Sequence, residues 1–231
     1  MKRLFTTLAL AMSTSVAMAA PVYLVAPSSP AMPVNTSTTL STFAAQTGSI
    51  FIDFTFRFNG AVKGNDFMAF WFNNNTGTEA YKGPNIGFKA NCGDTSATPT
   101  CTDDLFVRTI FNSAGDFIPG KDLSVDTDYR IFGHLYKSGT GAYNRFAMWV
   151  NPTNHETMTL TNADVVADDR SGLSSISSFG IRTSGVSDGP QFSVSNVAVS
   201  NVNPSEVPEP GSLALMGLAL SGLALARRKR N

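Results

Sequence analysis

The stretch SIFIDFTFRF, residues 49–58, sets the strongest limit on the fold. Ile50, Ile52, Phe54, Phe56 and Phe58 fall on one side of an extended chain, and Asp53, Thr55 and Arg57 on the other. A repeat of two is the pattern of a β-strand with one face against a core and one toward solvent. FMAFWFNN from Phe67, LFVRTIF from Leu105, YRIFGHLY from Tyr129 and RFAMWV from Arg145 are short aromatic or β-branched runs bounded by Gly, Asn, Pro or Asp, and each reads as a further strand. In QFSVSNVAVS, Phe192 and Val194 share one register and Val197 and Val199 the other, which predicts a bulge at Ser195-Asn196. Helical periodicity is missing from Val22 to Val202, and no internal repeat of propeller or solenoid length is visible. The expectation is an all-β chain with one antiparallel two-sheet sandwich over residues 20–202. Pro27 to Thr42, rich in Ser, Thr and Pro, reads as a loop leading into it, and Asn201 to Val207 as an exposed polar tether with the linker at 203–207.

The two ends differ from this pattern. Lys2 and Arg3 precede an apolar stretch from Leu4 to Val16 and then Ala17-Met18-Ala19, the layout of a secretory signal peptide at residues 1–19. Cleavage after Ala19 is expected, because a cut after Ala20 would leave Pro21 first. The whole chain carries 17 basic and 17 acidic residues. Setting aside the six basic residues of the two ends, and Glu209, leaves 11 and 16, a net charge of −5 between Ala20 and Val207. Such a balance excludes a nucleic-acid binder and leaves no overall basic character to hold anionic lipid. Cys92 and Cys101 lie in the turn-rich stretch NCGDTSATPTCTDD. In an exported chain they are expected to form a disulfide, and two thiols alone do not complete a zinc site.

At the other end, Pro208-Glu209-Pro210 is followed by an apolar run and by Arg227, Arg228, Lys229 and Arg230. Gly211 to Ala226 is 16 residues, roughly 24 Å as a helix against about 30 Å of hydrocarbon, enough for transient membrane insertion and marginal as a lasting anchor. The basic tail opposes full export, and the prolines keep the preceding segment out of the helix.

These parts, in this order over 208–231, resemble the PEP-CTERM sorting signal, a pattern also labelled an ice-binding protein C-terminal domain; no regular Thr-x-Thr ladder accompanies it here. The resemblance implies recognition and removal by an exosortase after signal peptidase has acted, and a final place on the cell surface or in the extracellular matrix of a Gram-negative bacterium. A second resemblance is to concanavalin A-like, laminin-G-like jelly rolls. It rests on Tyr129, Trp149, Asn151-Pro152 and the closing strand Phe192 to Val199, with Ser195 where that family carries an Asp. It implies a jelly-roll sandwich.

Catalytic chemistry is not expected. Glycosidases need paired carboxylates across a sugar, whereas Glu79 and Glu156 are the only glutamates before Glu206 and neither lies in a Glu-x-Asp-x-Glu strand. Asp103-Asp104, Asp126 with Asp128, and Asp168-Asp169 could offer oxygen ligands to calcium, but in turns such pairs more often cap loops, so no cofactor or metal is expected. His134 shares a strand face with Phe132 and Tyr136, and His155 sits beside Glu156; neither falls in a nucleophile arrangement. Tyr81, Tyr143 and Trp71 are the aromatics considered for stacking on a sugar. The functional expectation is an exported, non-enzymatic surface or matrix protein that binds extracellular polysaccharide. The alternative is a polysaccharide-processing hydrolase or lyase.

Overall fold

Period-two patterning becomes two six-stranded antiparallel sheets. Sheet I runs in the order β1 (Tyr23–Ser28), β12 (Phe192–Ser200), β3 (Ile50–Phe58), β8 (Tyr129–Tyr136), β9 (Arg145–Val150) and β10 (Val165–Ala167). Sheet II runs β2 (Ser37–Gln46), β11 (Ile176–Ser184), β4 (Phe67–Asn73), β5 (Asn85–Lys89), β6 (Leu105–Arg108) and β7 (Asp116–Phe117). The computed structural model describes residues 23–59, 66–90, 105–111, 115–119, 123–139, 141–186 and 192–206, with backbone alone at Phe58 and Glu206. The predicted signal peptide, Cys92, Cys101, Pro208, Glu209, Pro210, the apolar C-terminal run and Arg227, Arg228, Lys229 and Arg230 lie outside the described residues.

The core lies between the sheets. Ile50, Ile52, Phe54 and Phe56 of β3 are all buried there, as their alternation requires, facing Phe70, Phe72, Ile86, Phe88 and Phe179 of sheet II. Phe54 meets Phe70 edge-on at 4.9 Å between ring centroids, and Phe72 meets Phe146 at 6.0 Å. Each such side chain contributes about 1.5–3 kcal/mol through burial. The predicted bulge on β12 is present. Pairing with β3 slips between Ser195 and Ala198, Asn196 takes a left-handed backbone with φ 54°, and Phe192 and Val194 on one side of the slip and Val197 and Val199 on the other all reach the core. Tyr143 is wholly buried; its hydroxyl donates to the carbonyls of Gln46 at 3.0 Å and Gly48 at 2.7 Å. Burial pushes its pKa up to about 12.

Three segments differ from expectation. The stretch read as a loop from Pro27 to Thr42 holds the end of β1 and the start of β2. Both strands sit at sheet edges with no fully buried side chain, so backbone pairing, not apolar alternation, makes them strands. A short helix, α1 (Asn154–Thr159), interrupts the strands. Its cap is reciprocal: Thr153 Oγ1 accepts from the Glu156 amide, and the Glu156 carboxylate accepts from the Thr153 amide. The helix and the loop after it lie over the outer face of sheet I, where Phe51, Phe132, Ala147 and Trp149 form a second apolar cluster with Leu160 and Ala163. Trp149 Nε1 donates to the Thr161 carbonyl at 2.7 Å. The segment from Asn201, read as an exposed tether, is docked at Asn203, which is buried and whose amide donates to the Thr157 carbonyl at 2.7 Å. Thr153→Ala is expected to lower unfolding stability by about 1 kcal/mol, measurable by urea titration, because it removes the cap of a helix that seals the Trp149 cluster.

Candidate functional site

The sheets carry their charges differently on their outer faces. On sheet I each outward arginine meets an aspartate. Arg130 and Asp53 form a bidentate pair at 2.6 and 3.2 Å, Arg57 reaches Asp128 at 3.3 Å and Asp126 at 3.8 Å, and Arg145 reaches Asp168 at 3.1 Å. On sheet II, Lys89, Arg108 and Arg182 are outward, and among the described residues no carboxylate forms an ion pair with any of them.

Sheet II holds these cations among aromatic rings. The β4–β5 connection folds back over the outer face, because Asn73 Nδ2 donates to the Ala80 carbonyl at 2.7 Å and Ser178 Oγ donates to the carbonyls of Asn73 and Asn75. Asn85, fully buried and in register with Trp71, donates to the Tyr81 carbonyl at 3.1 Å and to the Gly83 carbonyl, and accepts from Arg108 Nη2 at 3.2 Å. Tyr81 is thereby carried across β4 to β11, where the Arg182 guanidinium lies 4.1 Å from its ring centre. Phe111 packs edge-on against Tyr81 at 5.1 Å and receives Arg108 at 4.6 Å, while Arg108 Nη1 donates to the Phe111 carbonyl at 3.1 Å. Both guanidinium groups also border Phe67, at 5.6 and 5.7 Å. Contacts of this kind are worth about 0.5–2 kcal/mol each, rising as water is excluded.

The result is a shallow depression of about 190 Å³ lined by Phe67, Lys89, Arg108, Phe111, Arg182 and Ser184. Arg108 is 9% exposed, and its Nε has no hydrogen-bond partner among the described residues. Burial, and then the neighbouring charge of Arg182, hold its pKa down to about 10, which still leaves it a cation at neutral pH. Arg182, Lys89, Tyr81 and Ser184 are half-buried and open to a ligand. The arrangement offers positive charge, guanidinium donors and ring faces together.

A larger cleft of about 370 Å³ lies on the outer face of sheet I, lined by Tyr23, Phe51, Asp53, Thr55, Arg130, Asn196 and Pro204 among others. Its strongest polar groups, Asp53 and Arg130, are already spent on each other. Size alone therefore does not favour it.

Of the residues singled out from sequence, Tyr81 borders the sheet II site, while Trp71 and Tyr143 are buried and cannot stack on a ligand. His134 is stacked between Phe51 and Tyr136, each at 4.4 Å, with Nε2 2.9 Å from Ser49 Oγ. Glu79 pairs with Lys82, and Glu156 caps α1. Asp126, Asp128 and Asp168 pair with arginines, and Asp103-Asp104 lie outside the described residues. Among the described residues no group of three His, Cys, Asp or Glu could hold a metal ion, and no helix is long and apolar enough to cross a membrane. Lys89, Arg108 and Arg182 are not marked by any sequence motif; their outward parity within strands is readable, whereas their lack of carboxylate partners is not.

Among solved structures, the chain is similar to a double mutant of the alginate lyase Aly36B in complex with alginate trisaccharide, at 12% identity and TM-score 0.43, over 72% of this chain and 81% of that one. It is similar to an endo-beta-1,4-glucuronan lyase from the fungus Trichoderma reesei, at 10% identity and TM-score 0.43, over 72% and 74%. It is also similar to the VIP36 exoplasmic/lumenal domain in its Ca2+/Man3GlcNAc-bound form, at 11% identity and TM-score 0.41, over 80% and 89%. No curated protein matches the sequence. Residues 206–230 match the family described as the PEP-CTERM protein-sorting motif, so the chain carries a signal for export with processing at the membrane.

Proposed function

We propose that this chain is an exported, non-enzymatic surface or matrix protein whose sandwich binds extracellular polysaccharide through the outer face of sheet II. The observation that supports the binding role is the contrast between the faces: the arginines of sheet I are neutralised in place, whereas Lys89, Arg108 and Arg182 stand among Tyr81, Phe67 and Phe111 without carboxylate partners among the described residues. A sugar ring presents hydroxyls at its edge and C–H groups on its face, and this site offers donors and a ring face to match. Within the proposal, signal peptidase removes residues 1–19, Cys92 and Cys101 close a disulfide, and an exosortase reads Pro208-Glu209-Pro210 while Arg227, Arg228, Lys229 and Arg230 hold the tail on the cytoplasmic side of a Gram-negative inner membrane. The mature protein then resides on the cell surface or in the matrix.

Affinity electrophoresis of the full-length chain in mild detergent, through gels containing the host's own exopolysaccharide, tests the binding role. Retardation is expected, and Tyr81→Ala should abolish most of it. Mobility unchanged on every polysaccharide tried would leave the binding role without support.

A further inference from the structure

The ligand chemistry can be narrowed, resting on the binding reading above. We infer that the sheet II site recognises a carboxylate-bearing, uronate-type polysaccharide and not a neutral one, with Arg182 and Lys89 making the contacts and Arg108 supplying the field beneath them.

The first argument is charge. Between Ala20 and Val207 the chain is acidic overall, so as a whole it repels polyanions. Against that background β5, β6 and β11 bring Lys89, Arg108 and Arg182 to one depression, with no ion-paired carboxylate among the described residues. Two guanidinium groups border the same two rings, Phe67 and Phe111. Like charges placed so close raise each other's energy, and the depressed affinity of Arg108 for its proton reflects its burial first and the charge of Arg182 second. An anion bound at the mouth relieves both; a neutral sugar relieves neither.

The second argument is geometry. Stacking over Tyr81 orients the Arg182 guanidinium, and a planar, pre-oriented fork suits a planar carboxylate better than a spherical charge would. Lys89 on β5 and Ser184 on β11 are the register partners of Phe67, and both line the depression beside it. Repeating carboxylates along a polymer offer such a small site many equivalent registers, a statistical gain that a single sugar would not supply.

The test uses the full-length chain in mild detergent and biolayer interferometry on four immobilised polymers: polygalacturonate, fully methyl-esterified polygalacturonate, dextran sulfate and polyglutamate. Polygalacturonate is expected to bind at least roughly tenfold more tightly than each of the others, with affinity falling steeply as salt is raised. Lys89→Gln, at a half-buried position whose side chain makes no hydrogen bond or ion pair among the described residues, should weaken that binding by roughly fivefold, and Arg182→Lys, which keeps the charge and loses the fork, by about as much. Equal binding to the methyl ester would overturn the inference while leaving polysaccharide binding standing. Preference for dextran sulfate would overturn the carboxylate assignment, and equal binding to polyglutamate would overturn recognition of a glycan. Binding to none of the four, with retardation by the host polysaccharide intact, would overturn the inference alone; loss of both would remove the underlying reading as well.

Discussion

Gly180→Ala is expected to lower unfolding stability by about 3 kcal/mol, at the upper end of what overpacking usually costs. A Cβ at this position would stand 2.1 Å from Trp71 Cζ2, 2.3 Å from Trp71 Cε2 and 2.4 Å from the Thr38 carbonyl oxygen. The carbonyl belongs to the β2–β11 pairing and cannot retreat without breaking register. The indole is 1% exposed, so it can yield only by displacing what lies above it. For a domain of this size the melting temperature should fall by about 6–12 °C, read by calorimetry. A fall of less than about 2 °C would mean that the indole does not pack on the glycine as described. Because Asn85 shares Trp71's register and holds Tyr81 and Arg108, the same substitution should also weaken ligand binding.

Acid sensitivity through His134 is the second large effect. Burial holds the imidazole pKa down to about 4, below its usual 6.5, and its cross-strand neighbours Phe51 and Ala147 offer no compensating charge. The unfolded chain therefore takes up a proton at this residue below about pH 6.5 while the folded chain does not, so folding is destabilised progressively as pH falls from 6.5 toward 4 and no further below. The full effect is about 3 kcal/mol. The difference in unfolding free energy between the wild type and His134→Gln should shift by about that amount in favour of the variant across this window. Parallel profiles would show that the folded protein protonates His134 as readily as the unfolded chain.

The sandwich was legible wherever one strand face meets a core. Ile50 to Phe56 and the split register of β12 carry their period openly, because burial on one side and water on the other leave a repeat of two. β1 and β2 carry no such repeat, being edge strands whose apolar side chains, Leu24, Val25, Leu40 and Phe43, are only partly buried against the core. The outer cluster of Phe51, Phe132 and Trp149 reads as ordinary strand aromatics until α1 is known to cover it, and the Thr153-x-x-Glu156 cap was the available sign of that helix. The candidate site was only partly legible. Tyr81 could be named, but whether Arg130 or Arg182 is free depends on partners across strands: Asp53 lies 77 residues from Arg130, and nothing local reveals the pairing.

Chemical-shift mapping of residues 20–206 during titration with oligogalacturonate tests the central claim most directly. The account predicts perturbations centred on Arg182, Arg108, Lys89 and Tyr81, with the Asp53–Arg130 cleft unmoved. Shifts confined to Tyr23, Phe51 and Asn196 on sheet I, or none at any concentration, would contradict it.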